Sequence, residues 1–201
     1  ISAISTGRSQ SIRPLLVVGL FGLFIPAASS AVGTFATPYL DQELGLSTEA
    51  IGLVSTISQA LAVLGTGATP WLARRMTSRR ADILTSLGMV VTLLPMAGSA
   101  HWAAAVFGRV VSSAMYTIRF PLTQMFAMAQ VRQSERPLMS AVLFTSAGLC
   151  GTALSYAGGR LAASHGYRAV FWASAAISGL AVLLYALVTR LLIARGRLQR
   201  A

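Results

Sequence analysis

Apolar residues in this chain come in long runs rather than in short alternations. Six stretches, residues 14–37, 49–73, 83–100, 102–128, 137–163 and 169–194, are rich in Ala, Val, Leu, Ile, Phe and Gly, and short polar segments separate them. A helix rises 1.5 Å per residue, so a run of about 20 apolar residues matches the roughly 30 Å hydrocarbon layer of a bilayer. The pattern predicts an all-α integral membrane protein whose six transmembrane helices form one bundle over residues 14–194. Residues 1–13 read as a polar leader or linker and residues 195–201 as a basic tail.

Residues that punctuate the runs add detail. Pro26, followed by Ala-Ala-Ser-Ser, interrupts the first run near its middle and predicts a kink, because proline donates no backbone hydrogen bond. Beyond it, Ser29, Ser30 and Thr34 either face a polar interior or pack as small residues against another helix. Ser47 or Thr48 with Glu49 predicts the start of the second helix, which contains Gln59. Arg74, Arg75, Arg79 and Arg80 then read as a basic cytoplasmic loop before the third helix. In the fifth run small residues recur at every fourth position, at Ala147, Gly151, Ser155 and Gly159. Such a ridge admits a close neighbour and is expected to be a packing face.

Residues 102–128, WAAAVFGRVVSSAMYTIRFPLTQMFAM, stand apart because Arg109 and Arg119 lie well inside the ends. An arginine near the centre of a membrane helix costs about 2.5–3.5 kcal/mol on insertion scales, so it marks either a functional site or a side chain snorkelling to the headgroups. At 100° per residue, Arg109, Ser112, Ser113, Tyr116, Arg119, Thr123 and Gln124 share a face of about 140°. That face is expected to point into the bundle or a wet pathway. The five acidic residues, Asp41, Glu43, Glu49, Asp82 and Glu135, fall in predicted loops or at helix ends. The two arginines are therefore expected to find no intramembrane carboxylate in this chain. Their partner would be an anionic ligand, another protein half, backbone carbonyls or water.

Composition narrows the class. With 55% hydrophobic residues, 10% charged residues and a mean hydropathy of +0.68, the chain is more apolar than soluble domains. Its net charge of +11 comes from sixteen Arg and no Lys. Nucleic acid is not an expected partner, because most arginines sit between apolar runs, where the positive-inside rule accounts for them. With the N-terminus inside, twelve arginines fall on the inner side and Arg160 and Arg168 on the outer side, which predicts two cytoplasmic ends. Enzymatic constellations are missing: the carboxylates are scattered, His101 and His165 fall in outward turns, and Cys150 is single. A chain without lysine holds no Gly-Lys phosphate loop, and no catalytic residue, metal or cofactor is expected. Ile at position 1 and the polar leader suggest a chain that begins partway through a longer product.

Several local patterns resemble one half of a major facilitator superfamily transporter. Leu-Ala-Arg-Arg-Met-Thr-Ser-Arg-Arg at residues 72–80 resembles the family's basic loop motif, with Arg74 where an Asp is usual. Gly-Arg-Val-Val-Ser-Ser-Ala at 108–114 is similar to its fourth-helix arginine motif, with Arg109 in the arginine position. Gly158-Gly159 matches the end of the fifth-helix antiporter motif, although Leu154-Ser155 replaces its Gly-Pro. Gly166-Tyr167-Arg168 with Phe171-Trp172 looks like the family's junction into the last helix of a half. The degenerate basic motif and the arginine-bearing lead favour the C-terminal half.

The resemblance implies a secondary transporter of a small organic solute or drug, efflux included, in a plasma membrane of the bacterial inner type. It implies two six-helix bundles rocking around a midplane site, so the expected partners are the lipid bilayer, a small-molecule substrate and a second six-helix half. That half would be a missing part of the chain or another copy. Helices one and four are expected to line the path, through Ser30, Thr34, Arg109, Ser113, Tyr116, Arg119 and Gln124, with Gln59 added from helix two. The competing reading is a non-transporting six-helix membrane protein, a remnant or a scaffold that pairs through helix five.

Overall fold

The structure, a computed structural model, describes residues 24–194; the expected leader at 1–13, the beginning of the first run and the tail at 195–201 lie outside the described residues. Among the described residues six α-helices follow one another without a strand: α1 Ala27–Pro38, α2 Thr48–Arg75, α3 Ser78–Gly98, α4 Trp102–Ala129, α5 Arg136–His165 and α6 Tyr167–Ala194. A π-helical turn, Tyr39–Glu43, extends α1, and a 3-10 turn, Gln133–Glu135, precedes α5. Four stretches, covering α2, α3 from Arg79, α5 with its leading turn, and α6, are long and apolar enough to cross a membrane. α4 is as long as α2 and α6, at 28 residues, but carries the two arginines.

The helical pattern is interrupted at Ile25 and Pro26, where the kink is expected. The chain turns at Ile25 and Pro26 before α1 begins, and Ser178 of α6 serves the exposed backbone there. Its Oγ accepts from Ala28 N at 2.8 Å and donates toward the Ile25 carbonyl at 3.3 Å. A neighbouring hydroxyl thus replaces the water that a break in a membrane helix would otherwise need.

Arg74, Arg75, Arg79 and Arg80 do not form a loop. Arg74 and Arg75 close the last turn of α2, only Met76 and Thr77 intervene, and Arg79 and Arg80 lie in the first turn of α3. The Thr77 hydroxyl caps α3 by accepting from Arg80 N at 3.4 Å, so the helix starts before its first apolar turn. Arg79 folds onto α6, where Nε donates to Thr189 Oγ1 at 2.8 Å and a terminal nitrogen to the Ala186 carbonyl at 2.9 Å.

α4 packs between α2 and α3, and α6 packs against α3, α1 and α5. The α3–α4 approach depends on Gly108, where an added Cβ would collide with Met96 and lie 2.7 Å from the Thr92 carbonyl oxygen. α5 meets α1 at Gly158, where an added Cβ would lie 2.8 Å from the Phe35 ring. The buried residues of α5 are Met139, Ser146, Cys150 and Gly158, in a row adjacent to the expected ridge of Ala147, Gly151, Ser155 and Gly159. Ser155 is exposed, and a Cβ on Gly159 would meet nothing within 4 Å. Adjacent rows of α5 are both rich in small residues, and the Phe35 ring selects the row containing Gly158.

The tight turns share one end of the bundle, where a polar clasp holds three connections together. Glu43 Oε1 accepts from Tyr167 N at 2.6 Å, at the start of α6. Arg168 donates to the Ala97 carbonyl at 3.0 Å and the Gly98 carbonyl at 2.8 Å, at the end of α3. Tyr39 donates to the Ser99 carbonyl at 3.1 Å. Gly166, with φ 81, sits so close under Glu43 that an added Cβ would lie 2.9 Å from Oε1.

Candidate functional site

The polar face of α4 divides into two edges with different partners. Ser112, Arg119 and Thr123 lie on the edge toward α3. Ser112 Oγ meets Thr92 Oγ1 at 2.8 Å, and Arg119 Nε donates to Ser86 Oγ at 2.7 Å. Arg119 Nε also lies 3.5 Å from Asp82 Oδ1, which accepts from Thr123 Oγ1 at 2.5 Å. The side chains of Arg119 and Asp82 are 7% and 2% exposed, so this is a buried ion pair satisfied by two hydroxyls.

Two expectations change here. A buried carboxylate does meet Arg119, because α3 begins early enough to bring Asp82 one turn inside the helix. Arg119 therefore has a partner within the chain and does not reach for a headgroup layer. Sequence reasoning missed Asp82 and Ser86, although their spacing of four residues would place both on one helical face.

The other edge opens onto two cavities between α1 and α4. The larger, about 560 Å³, receives Ser29 and Ser30 from α1, Gln59 from α2, and Arg109, Ser113 and Tyr116 from α4. The smaller, about 150 Å³, lies toward α5; Ser30 and Tyr116 wall it too, together with Arg119, Phe120, Gln124 and Ala147. Seven of the eight expected pathway residues thus lie on one cavity or both. Thr34 does not: it is exposed and outside both walls. One residue earlier, Gly33 occupies the wall of the larger cavity.

Arg109 differs from Arg119 in its partners. Its terminal nitrogens donate to Thr37 Oγ1 at 3.0 Å and Ser55 Oγ at 3.3 Å, both neutral, and its buried Nε has no acceptor. The one ion pair among the described residues is Asp82 with Arg119. α4 holds its own hydroxyls inward by back-bonding: Ser113 donates to the Arg109 carbonyl at 3.0 Å and Thr117 to the Ser113 carbonyl at 2.9 Å. That leaves hydroxyl oxygens on the cavity wall beside an uncompensated cation. Among the described residues no three His, Cys, Asp or Glu side chains gather as metal ligands. Arg109, hydroxyls, an amide and a phenol can bind and orient a polar solute, but they supply no nucleophile–base pair.

The family model of the Major Facilitator Superfamily matches residues 18–198, which includes every helix described above. No curated protein matches the chain.

Proposed function

The chain belongs to the Major Facilitator Superfamily of membrane transporters, and we propose that it forms one six-helix half that moves a small organic solute between α1 and α4. The observation that carries this reading is the cavity of about 560 Å³ with polar residues from three helices, inside a bundle whose outer surface is apolar. Its size falls within the roughly 300–1,000 Å³ common for small-molecule sites. The arginine-rich end, with the α2–α3 and α4–α5 connections, faces the cytoplasm of a bacterial inner membrane, and the clasped end faces outward. A second six-helix half, in the same polypeptide or another copy, closes the open side and rocks against this one. The degenerate basic motif favours the C-terminal position, and outward movement of a drug-like solute fits the family resemblance.

Transport by the full-length protein at matched expression tests the reading. Arg109→Ala and Tyr116→Ala each reduce the rate by about tenfold or more, the scale of losing a buried hydrogen bond or packing contact of about 1.4 kcal/mol. Wild-type rates in both variants remove the cavity from the pathway. Absence of transport in the wild type, across a broad solute panel, would favour a scaffold instead.

A further inference from the structure

Arg109 is a cation whose protein partners are neutral hydroxyls, in a site partly withdrawn from water. A guanidinium in that setting gains most from a carboxylate or a similar anion, because charge-assisted hydrogen bonds are about twice as strong as neutral ones. Among the described residues no carboxylate of this chain forms an ion pair with Arg109. Asp82 pairs with Arg119, Glu43 holds Tyr167, Glu135 accepts from Arg132 N, and Asp41 and Glu49 lie in the first turns of the π-turn and α2. α4 thus holds one arginine neutralised from within and one whose protein partners are neutral, on the cavity wall.

The cavity changes character along α4. Around Arg109 the wall is Gln59, Ser113 and Thr117. Toward the smaller cavity the wall adds Pro26, Phe120, Leu143 and Ala147 beside Ser29, Ser30, Arg119 and Gln124. Tyr116 belongs to both walls and leads into an aromatic row, with its ring 6.0 Å from Phe120, which lies 5.7 Å from Phe144. Arg109 and Tyr116 are seven residues apart, about 10 Å along the helix axis.

We propose that the substrates are amphiphilic carboxylates, whose anionic head binds Arg109 while an apolar, preferably aromatic, body lies against Tyr116. This inference rests on the reading of the cavity as the substrate path. It narrows the solute to one charge class and one shape, an anion of about 10 Å with a ring at the far end. Gln59 and Ser113 serve the polar atoms beside the head. Arg119, already neutralised by Asp82, does not compete for it.

The test is binding to the purified full-length protein, using 4-phenylbutyrate, 4-phenylbutyramide and 4-phenylbutylamine as matched probes. The acid is expected to bind about 10- to 100-fold more tightly than the amide, the range of one hydrogen bond to a charged group, and the amine more weakly still. Arg109→Gln brings the acid down to the level of the amide, and Arg109→Lys retains part of the preference. Tyr116→Ala weakens 4-phenylbutyrate but not butyrate. The wild-type comparison needs no variant, so a folding defect in Arg109→Gln leaves the test intact. Equal binding of acid and amide, preference for the amine, or no binding of the acid overturns the proposal. Uptake into proteoliposomes separates this failure from failure of the transport reading. Tyr116-dependent uptake of the amide or amine keeps the path and rejects the anion class. Carboxylate binding without uptake of any probe keeps the class and rejects transport.

Discussion

Asp82 and Arg119 face each other at 3.5 Å in the interior of the bundle, each charge making burial tolerable for the other. A pair of this kind is worth little over a well-packed apolar pair, but removing one partner strands the other charge. Asp82→Ala is expected to destabilise the protein by about 3–5 kcal/mol, measured as unfolding in a detergent titration. Asp82→Ala combined with Arg119→Leu should recover most of that loss, because the double variant leaves no stranded charge. Additive losses would show that the two side chains do not interact. The pair illustrates what a local pattern conveys. Arg119 was conspicuous in the sequence as a charge within an apolar run, whereas Asp82 was hidden by standing before the first apolar residue of its run. The Thr77 cap, which extends α3 backward, was legible only as one hydroxyl among arginines. The separation of Arg109 from Arg119 was illegible for the same reason, since it depends on where Asp82 lands.

At the scale of elements, two adjacent rows of α5 look alike in sequence and differ in the fold. Gly158→Ala would push a methyl into the Phe35 ring and the Val170 side chain, at 2.8 and 3.3 Å. A loss of about 1–3 kcal/mol is expected in the same unfolding measurement, the range for overpacking a tight contact. Gly159→Ala meets nothing within 4 Å and should be neutral or slightly stabilising, since alanine favours a helix over glycine by about 1 kcal/mol. A reversal of these two results would move the α1–α5 contact to the outer row. The break before α1 is a second case. Proline announced it in the sequence, but its satisfaction by Ser178, 150 residues from Ala28, could not be read from any nearby pattern. Ser178→Ala leaves the Ala28 N–H and the Ile25 carbonyl without this partner, and is expected to cost about 1–3 kcal/mol. Ser178→Thr, which keeps the hydroxyl, should lose less.

At the scale of the whole molecule, the bundle has a lipid-like outer surface and a polar gap, and α2 carries residues of both kinds. Its partners lie chiefly along α4, so one side of the helix faces the cavity while another faces away. Gln59 stands on the cavity wall, whereas Leu64, five residues later and 71% exposed, is about 140° around the helix from it. The alternation of small, polar and apolar residues in α2 did not announce this division, because two exposed sides of one helix resemble each other until neighbours are known. A membrane makes them chemically opposite. Charged thiol reagents react with thiolates, which form readily in water and hardly at all in hydrocarbon. Cys150 is 9% exposed and should react slowly, giving a low background in this bundle. In native membranes, Gln59→Cys is therefore expected to react with a charged methanethiosulfonate at least about tenfold faster than Leu64→Cys, the discrimination that water access confers on a thiol. A membrane-permeant maleimide should narrow the gap. If Leu64→Cys reacts with the charged reagent as fast as Gln59→Cys, the outer side of α2 faces water or a hydrated partner surface rather than lipid. If Gln59→Cys alone is protected by a transported solute, the same position reports occupancy of the cavity, tying the polar gap to the movement of its ligand.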